Sequence, residues 1–354
     1  MSAPPMASIA ITSHLTIAFL LFVMSAAITW VMLRVRMLDF PNHRSSHETP
    51  VPNSGGIAIT LTILAGFSAA YIFGDGTQIP DRQVFGFGLA ALAIVAVSLL
   101  DDLRKLQTFK IKLGAQIAAA AILLVLDVVI RTMSLPVVGN IDLGWWGYPI
   151  TLIWVVGLTN AFNFMDGLDG LAAGTGVIVA AFFGVITFLE GSLFLYILCY
   201  VVMSSTLGFL IFNFPKARIF MGDSGSQLLG FSFAVLAVMA TEYDVSRTSL
   251  WVMPLLFFNF ICDTGFTFIR RLLAREKVTQ AHRSHLYQLF NQLGYSHAAV
   301  SVFHFAVTGL QGLGAIWLIS LPSPDRALIF LPFVAFQIIY TTVIVRAARA
   351  RHLI

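Results

Sequence analysis

Long apolar blocks separated by short polar segments dominate this chain. Blocks occur near 14–33, 56–73, 84–100, 113–133, 146–165, 171–189, 192–212, 227–241, 249–269, 299–319 and 327–345. At about 1.5 Å per helical residue, runs of this size approach the roughly 30 Å hydrocarbon core of a bilayer. The pattern predicts an all-α integral membrane protein with about 11 transmembrane helices in a single polytopic domain over residues 1–354. One block is short: only 14 residues run from Trp146 to Thr159. To span, that helix must continue through Asn163, which brings Asn160 and Asn163 to the membrane surface.

Composition agrees with this pattern. Of 354 residues, 58% are hydrophobic and 11% charged, and mean hydropathy is +0.86. Soluble domains carry about 25% charged residues. Cys199 and Cys262 lie far apart in apolar runs, which excludes a disulfide framework or a cysteine metal site. The formal charge of +4 is spread along the chain without a basic run of the kind that binds nucleic acid.

Lysine and arginine placement sets the expected orientation. With the C-terminus and alternate loops on one side, 17 of 21 basic residues collect there, leaving Arg82, Arg131, Arg247 and Arg326 opposite. That side is expected to be cytoplasmic, with the N-terminus periplasmic. The polar clusters all fall on the cytoplasmic loops, so the active site is expected there.

The densest cluster is N-A-F-N-F-M-D-G-L-D-G-L, Asn160 to Leu171, with Asn160, Asn163, Asp166 and Asp169 three residues apart and glycines between them. Carboxylates and carboxamides are hard oxygen donors suited to Mg²⁺ or to substrate hydroxyl and amide groups. D-D-L-R-K-L starts at Asp101, where adjacent carboxylates favour a proton acceptor and Lys105, Lys110 and Lys112 supply positive charge. M-G-D-S-G-S, Met221 to Ser226, opens an apolar helix. Its turn and helix N-terminus, with Ser224 among them, suit phosphate oxygens, and Asp223 suits a metal. R-S-S-H-E-T-P-V-P-N-S-G-G carries Arg44, Ser46 and His47 toward a phosphate. In A-H-R-S-H-L-Y-Q, His282, Arg283 and His285 fit anion recognition better than zinc, having no third ligand nearby in sequence. Asp263 is a costly intramembrane charge that either balances nearby arginines or lines the site.

In order and spacing these motifs resemble the polyprenyl-phosphate N-acetylhexosamine-1-phosphate transferase family (glycosyltransferase family 4). The resemblance covers nearly the whole chain. It implies that Asn163 and Asp223 contact Mg²⁺, with Mn²⁺ as a substitute, and that Asp101 and Asp102 lie at the lipid phosphate. Lys105 and Lys112 would hold phosphate oxygens. Asn160, Asp166 and Asp169 would line the nucleotide and sugar pocket, and His282, Arg283 and His285 the sugar-1-phosphate side. The implied partners are undecaprenyl phosphate, a UDP-N-acetylhexosamine and the bilayer of a bacterial inner membrane, with a homodimer left open. Two departures stand out: Asn53-Ser54 replaces the Arg-Gly of many relatives, and H-R-S-H replaces the consecutive histidines of the phospho-N-acetylmuramoyl-pentapeptide branch. The second favours the branch that starts O-antigen or related surface polysaccharides. A secondary transporter is the rival class, although its polar groups belong near the bilayer midplane in repeated halves.

Overall fold

The computed structural model describes residues 5–35, 37–40, 49–73, 79–103, 109–135, 138–277, 280 and 282–354, with side chains of the first helix from Thr12 onward. Arg44, Ser46, His47 and Lys105 lie outside the described residues. Thirteen α-helices order the described chain: α1 (Pro5–Met32), α2 (Gly55–Phe73), α3 (Asp81–Asp102), α4 (Phe109–Val125), α5 (Gly147–Phe164), α6 (Leu171–Leu189), α7 (Leu193–Asn213), α8 (Gly222–Glu242), α9 (Val252–Leu256), α10 (Phe258–Leu273), α11 (Leu286–Gln292), α12 (His297–Ser320) and α13 (Phe330–Ala350).

The architecture is built around α8. Its residues are apolar on every side, as befits a helix enclosed on all faces, and every residue from Ser224 to Ala240 is buried. Helices α2, α3 and α5 pack around it. Close approach needs small residues: a Cβ on Gly230 would stand 2.9 Å from the Thr159 Cα of α5. The ring of Phe231 stacks on Phe87 of α3, and that of Phe233 meets Phe162 of α5. A helix so enclosed meets solvent only at its two ends, and the molecule's two polar layers lie there.

Eight helical segments among the described residues are long and apolar enough to cross a membrane; the chain is a multi-pass membrane protein. The expected count of 11 is not reached by that measure, and the shortfall has three local causes. In the 113–133 stretch the helix stops at Val125, leaving α4 with 17 residues. Tyr243 Oη donates to the Asp127 carbonyl and accepts from Val129 N at 3.0 Å. The Glu242 carboxylate then accepts from Arg131 N and Thr132 N at 2.9 and 2.8 Å. These bonds draw the chain into β3 (Thr132–Leu135), which pairs antiparallel with β4 (Gly139–Asp142), as β1 (Leu38–Asp39) pairs with β2 (Val51–Pro52) earlier in the chain. Helix α5 has 18 residues, but Asn160 and Asn163 lower its hydropathy. The 249–269 stretch splits into α9 and α10 at Phe257 (φ −102°, ψ 15°). There the Phe257 ring is held by Phe162, Phe233 and Phe260, with centroids 5.1–5.9 Å away.

The hairpin β3–β4 closes the layer at the C-terminal end of α8. Trp251 Nε1 donates to the Ser134 carbonyl at 2.6 Å, and Ser323 Oγ donates to Ser134 Oγ at 2.8 Å. The opposite layer gathers the C-terminal ends of α3, α5 and α10 and the N-terminal ends of α4, α8 and α12. The described residues of the polar motifs lie in that layer.

Candidate active site

The centre of the site is the first turn of α8. Four N–H groups at a helix start have no intrahelical partner and favour negative charge. Asp102, the last residue of α3, meets that need with both oxygens: Oδ1 accepts from Asp223 N at 2.8 Å, and Oδ2 from Ser224 N at 3.0 Å. Gly222 makes this approach feasible. It adopts φ +69°, and a Cβ there would stand 2.9 Å from each Asp102 oxygen and 3.0 Å from Asn53 Oδ1.

Lys112, in the first turns of α4, bridges two carboxylates. Its Nζ lies 2.6 Å from Asp101 Oδ2 and also contacts Asp223 Oδ2. Asn163, near the end of α5, donates Nδ2 to Asp223 Oδ1 at 3.1 Å and to Ser226 Oγ at 2.8 Å. Four helices therefore deliver Asp101, Asp102, Lys112, Asn163 and Asp223 to one point. Asp101 Oδ1 and Ser224 Oγ are buried there without a hydrogen-bond partner among the described residues. Beside this centre, in the α5–α6 turn, desolvation and then the charges of Asp223 and Asp102 push the Asp166 carboxyl up to about 7. Among the described residues no three carboxylate, histidine or cysteine groups converge at metal-binding distance.

The loop before α2 is stitched to the same place by backbone. Phe220 N donates to Pro52 O at 2.8 Å, Gly55 N to Phe220 O at 3.0 Å, and Gly56 N to Met221 O at 2.7 Å. Sequence reading did not foresee that V-P-N-S-G-G pairs directly with the strand-like lead into M-G-D-S-G-S. Gly56 is required by the contact, since a Cβ there would fall 2.3 Å from Gly225 N.

Asp263 caps α11 from α10. Its oxygens accept from Leu286 N at 3.0 Å and Tyr287 N at 2.9 Å, and His285 Nδ1 lies 3.1 Å away. Neither the balance of arginines nor the site lining read from sequence describes these contacts: the partners are helix-start N–H groups and His285, and the buried carboxylate anchors α11. His285 is thereby buried, and the His282 ring stacks on it at 4.9 Å. Burial, then His285 and Arg271 and Arg270, hold the His282 imidazole down at about 4. Arg283 makes no side-chain hydrogen bond or ion pair among the described residues, so its guanidinium is free to take an anion. Tyr287 links this loop to the centre by donating its hydroxyl to Phe164 O at 2.9 Å.

Two expected pocket residues have protein partners. Asn160 lies one turn below Asn163, where its Nδ2 donates to Gln116 Oε1 at 2.6 Å and to Val156 O at 2.8 Å. Asp169 Oδ1 lies 3.1 Å from His297 Nδ1, while its Oδ2 accepts from Ala217 N at 3.1 Å. Gln116, Gln227 and Tyr287 were not singled out from sequence. A usable signal existed for the glutamines: Gln116 follows Lys112, and Gln227 follows Asp223, by four residues, which places each pair on one helical face.

Fold and site together define a multi-pass membrane protein with an acidic, lysine-bridged centre at one membrane face. The sequence model of glycosyl transferase family 4 matches residues 84–241. A Bacillus subtilis (strain 168) protein named probable undecaprenyl-phosphate N-acetylglucosaminyl 1-phosphate transferase is 32% identical over 288 residues, covering 81% of this chain and 78% of that one. A Mycobacterium leprae decaprenyl-phosphate N-acetylglucosaminephosphotransferase is 30% identical over 328 residues, 85% of this chain and 81% of that one. A Leuconostoc citreum phospho-N-acetylmuramoyl-pentapeptide-transferase is 35% identical over 213 residues, 56% of this chain and 64% of that one. The chain belongs to the polyprenyl-phosphate N-acetylhexosamine-1-phosphate transferase family.

Proposed function

We propose that this protein transfers N-acetylhexosamine-1-phosphate from a UDP-sugar to undecaprenyl phosphate, giving undecaprenyl-pyrophosphoryl-sugar and UMP. The observation that carries this reading is the convergence of Asp101, Asp102, Lys112, Asn163 and Asp223 at the N-terminal end of α8, in a polar layer at one end of the bundle. An oxygen of the lipid phosphate attacks the sugar-bearing phosphorus, the bond from that phosphorus to the UMP oxygen breaks, and UMP leaves. Asp101 and Asp102 orient the attacking phosphate or accept its proton, and Lys112 and Lys105 hold phosphate oxygens. Arg283 and His282 receive the sugar-1-phosphate side, with His285 behind them. Asp166 and Ser224 belong to the walls of the nucleotide and sugar pocket, with Asn160 and Asp169 behind them, held by Gln116 and His297.

The donor set fits Mg²⁺, which takes one or two carboxylates and fills its other positions with water and substrate phosphate oxygens. Asp101 Oδ1 is buried without a hydrogen-bond partner among the described residues, and the Lys112 ammonium bridges Asp101 and Asp223, a position suited to positive charge. Asp223 and Asn163 would hold the ion, Asn163 through Oδ1, since its Nδ2 is engaged. An ion held by these residues would neutralise diphosphate charge.

The test is UMP release by purified protein with undecaprenyl phosphate and a panel of UDP-sugars, in Mg²⁺ or EDTA. Both long-matching relatives carry N-acetylglucosamine in their names, so UDP-GlcNAc comes first. Metal-dependent release abolished by Asp223→Ala supports the reading; no release from any donor overturns it. UDP-N-acetylmuramoyl-pentapeptide belongs in the panel because of the Leuconostoc relative. A role at the start of O-antigen or related surface-glycan synthesis, in a bacterial inner membrane with the C-terminus cytoplasmic, rests on the H-R-S-H loop and the basic-residue bias. Loss of the glycan in a deletion strain, restored by the intact gene, is the expected outcome.

A further inference from the structure

Beneath the charged centre lies a layer of amides. Lys112 and Asp223 meet at the surface of the site, and one turn deeper on the same two helices Gln116 and Gln227 meet. Both glutamines are 2% exposed. Three side chains form a connected set: Asn160 Nδ2 donates to Gln116 Oε1 at 2.6 Å, Gln116 Nε2 donates to Gln227 Oε1 at 3.2 Å, and Gln227 Nε2 donates to Asp223 Oδ2 at 3.3 Å. Gln116 Nε2 also reaches Asn160 Oδ1 at 3.3 Å, and Asn160 is itself anchored to the Val156 carbonyl at 2.8 Å.

This order has a direction. A carboxamide presents NH₂ on one side and C=O on the other. The Val156 carbonyl can only accept, so it fixes the Asn160 NH₂. That NH₂ fixes the Gln116 carbonyl, whose opposite side then presents NH₂ to Gln227. Gln227 must answer with its carbonyl, which turns its own NH₂ onto Asp223. A helix backbone carbonyl therefore sets, through three amides on α5, α4 and α8, which group faces the Asp223 carboxylate.

We propose that Gln116, Asn160 and Gln227 act as a positioning relay that holds Asp223 in the rotamer needed for a divalent cation; this rests on the reading that Asp223 belongs to a metal-assisted phosphotransfer site. Reversing one member reverses those above it. In Gln116→Glu an acceptor faces the Gln227 carbonyl, so Gln227 turns over and sets its own carbonyl against Asp223. Repulsion between oxygens then displaces a carboxylate that the variant does not touch. The same change in a protein with Gln227→Met has no amide to turn, so the effect does not travel.

The experiment is Mn²⁺ affinity by electron paramagnetic resonance on the purified full chain, with melting temperature in EDTA as the check of folding. The expected result is at least about tenfold weaker Mn²⁺ binding in Gln116→Glu, on the scale of about 1.4 kcal/mol per tenfold. Gln116→Leu, which removes the polarity without reversing it, loses less. In the Gln227→Met background, Gln116→Glu changes Mn²⁺ affinity by less than twofold, the signature of coupling in a double-mutant cycle. Gln116→Glu binding Mn²⁺ within twofold of wild type overturns the relay, as does an undiminished effect in the Gln227→Met background. If Gln116→Glu does not fold, Asn160→Asp applies the same reversal one step earlier and is judged by the same affinities. A wild type that binds Mn²⁺ but releases no UMP from any donor defeats the transferase reading alone, and the relay is still decided by affinity. A wild type that binds no Mn²⁺ overturns both.

Discussion

Gly222 shows how much of this site depends on a missing side chain. Asp102 reaches the start of α8 because no Cβ intervenes and because the backbone there holds φ +69°. Gly222→Ala is expected to displace Asp102 and reduce UMP release by about 10²-fold, the scale of losing one preorganised electrostatic contact, while the melting temperature falls by only a few degrees. Asp166 makes a prediction about pH. Its folded carboxyl titrates at about 7 against 3.8 as the ordinary value, so between those values the folded state binds more protons than the unfolded. The associated stability is complete below about pH 4 and is lost as pH rises through 7. In EDTA, Asp166→Asn should therefore gain melting temperature relative to wild type as pH is raised from 5 to 8. A constant difference across that range would count against the burial and like-charge effects that raise it.

Helix ends supply the chemistry at the scale of elements. Helix α8 offers its N–H groups to Asp102, and α11 offers its own to Asp263. The two caps differ in purpose: the first delivers a carboxylate to the centre, and the second fixes the loop that carries His282 and Arg283. Asp263→Ala leaves two helix-start donors and His285 unpartnered, at a cost of about 1–2 kcal/mol. Hydrogen exchange should show Leu286 and Tyr287 losing protection, while amides in the first turn of α8 keep theirs. Loss of protection at both would mean that the loop and the centre form one cooperative unit through Tyr287.

Across the whole molecule, α8 separates two polar layers with different tasks. The layer at its N-terminal end holds the candidate site. At its other end Glu242 gathers Arg131 N, Thr132 N and Thr132 Oγ1, which secures the β3–β4 hairpin. Glu242→Ala should lower the melting temperature while leaving kcat and KM of the proposed transfer within about twofold, because Glu242 lies at the far end of α8, about 28 Å along the helix from Asp223 at about 1.5 Å per residue. The proposed orientation is tested by single cysteines placed in a Cys199→Ser, Cys262→Ser background. In intact inner-membrane vesicles of known sidedness, a cysteine at Ser323 should label from the periplasmic side and one at Arg351 from the cytoplasmic side.

The sequence by itself determined that this is an all-α membrane chain, because apolar runs that must satisfy their backbone in lipid have few alternatives to helices. It also marked which loops hold the clustered polar groups, since hard oxygen donors and basic groups are rare in such a composition and stand out where they cluster. Tertiary structure decided which of these residues share one point. Asn163 and Asp223 are 60 residues apart, and Lys112 and Asp223 are 111 apart, distances at which spacing carries no geometric information. It also decided where helices stop. Asp127 and Thr132 leave the α4 run because Tyr243 and Glu242, more than 100 residues onward, bind their backbone. Asn160 and Asp169 fit the same three-residue rhythm as Asn163 and Asp166, yet Gln116 takes one and His297 the other. A local repeat aligns side chains on a turn, and only the neighbouring helices select which of them face the site.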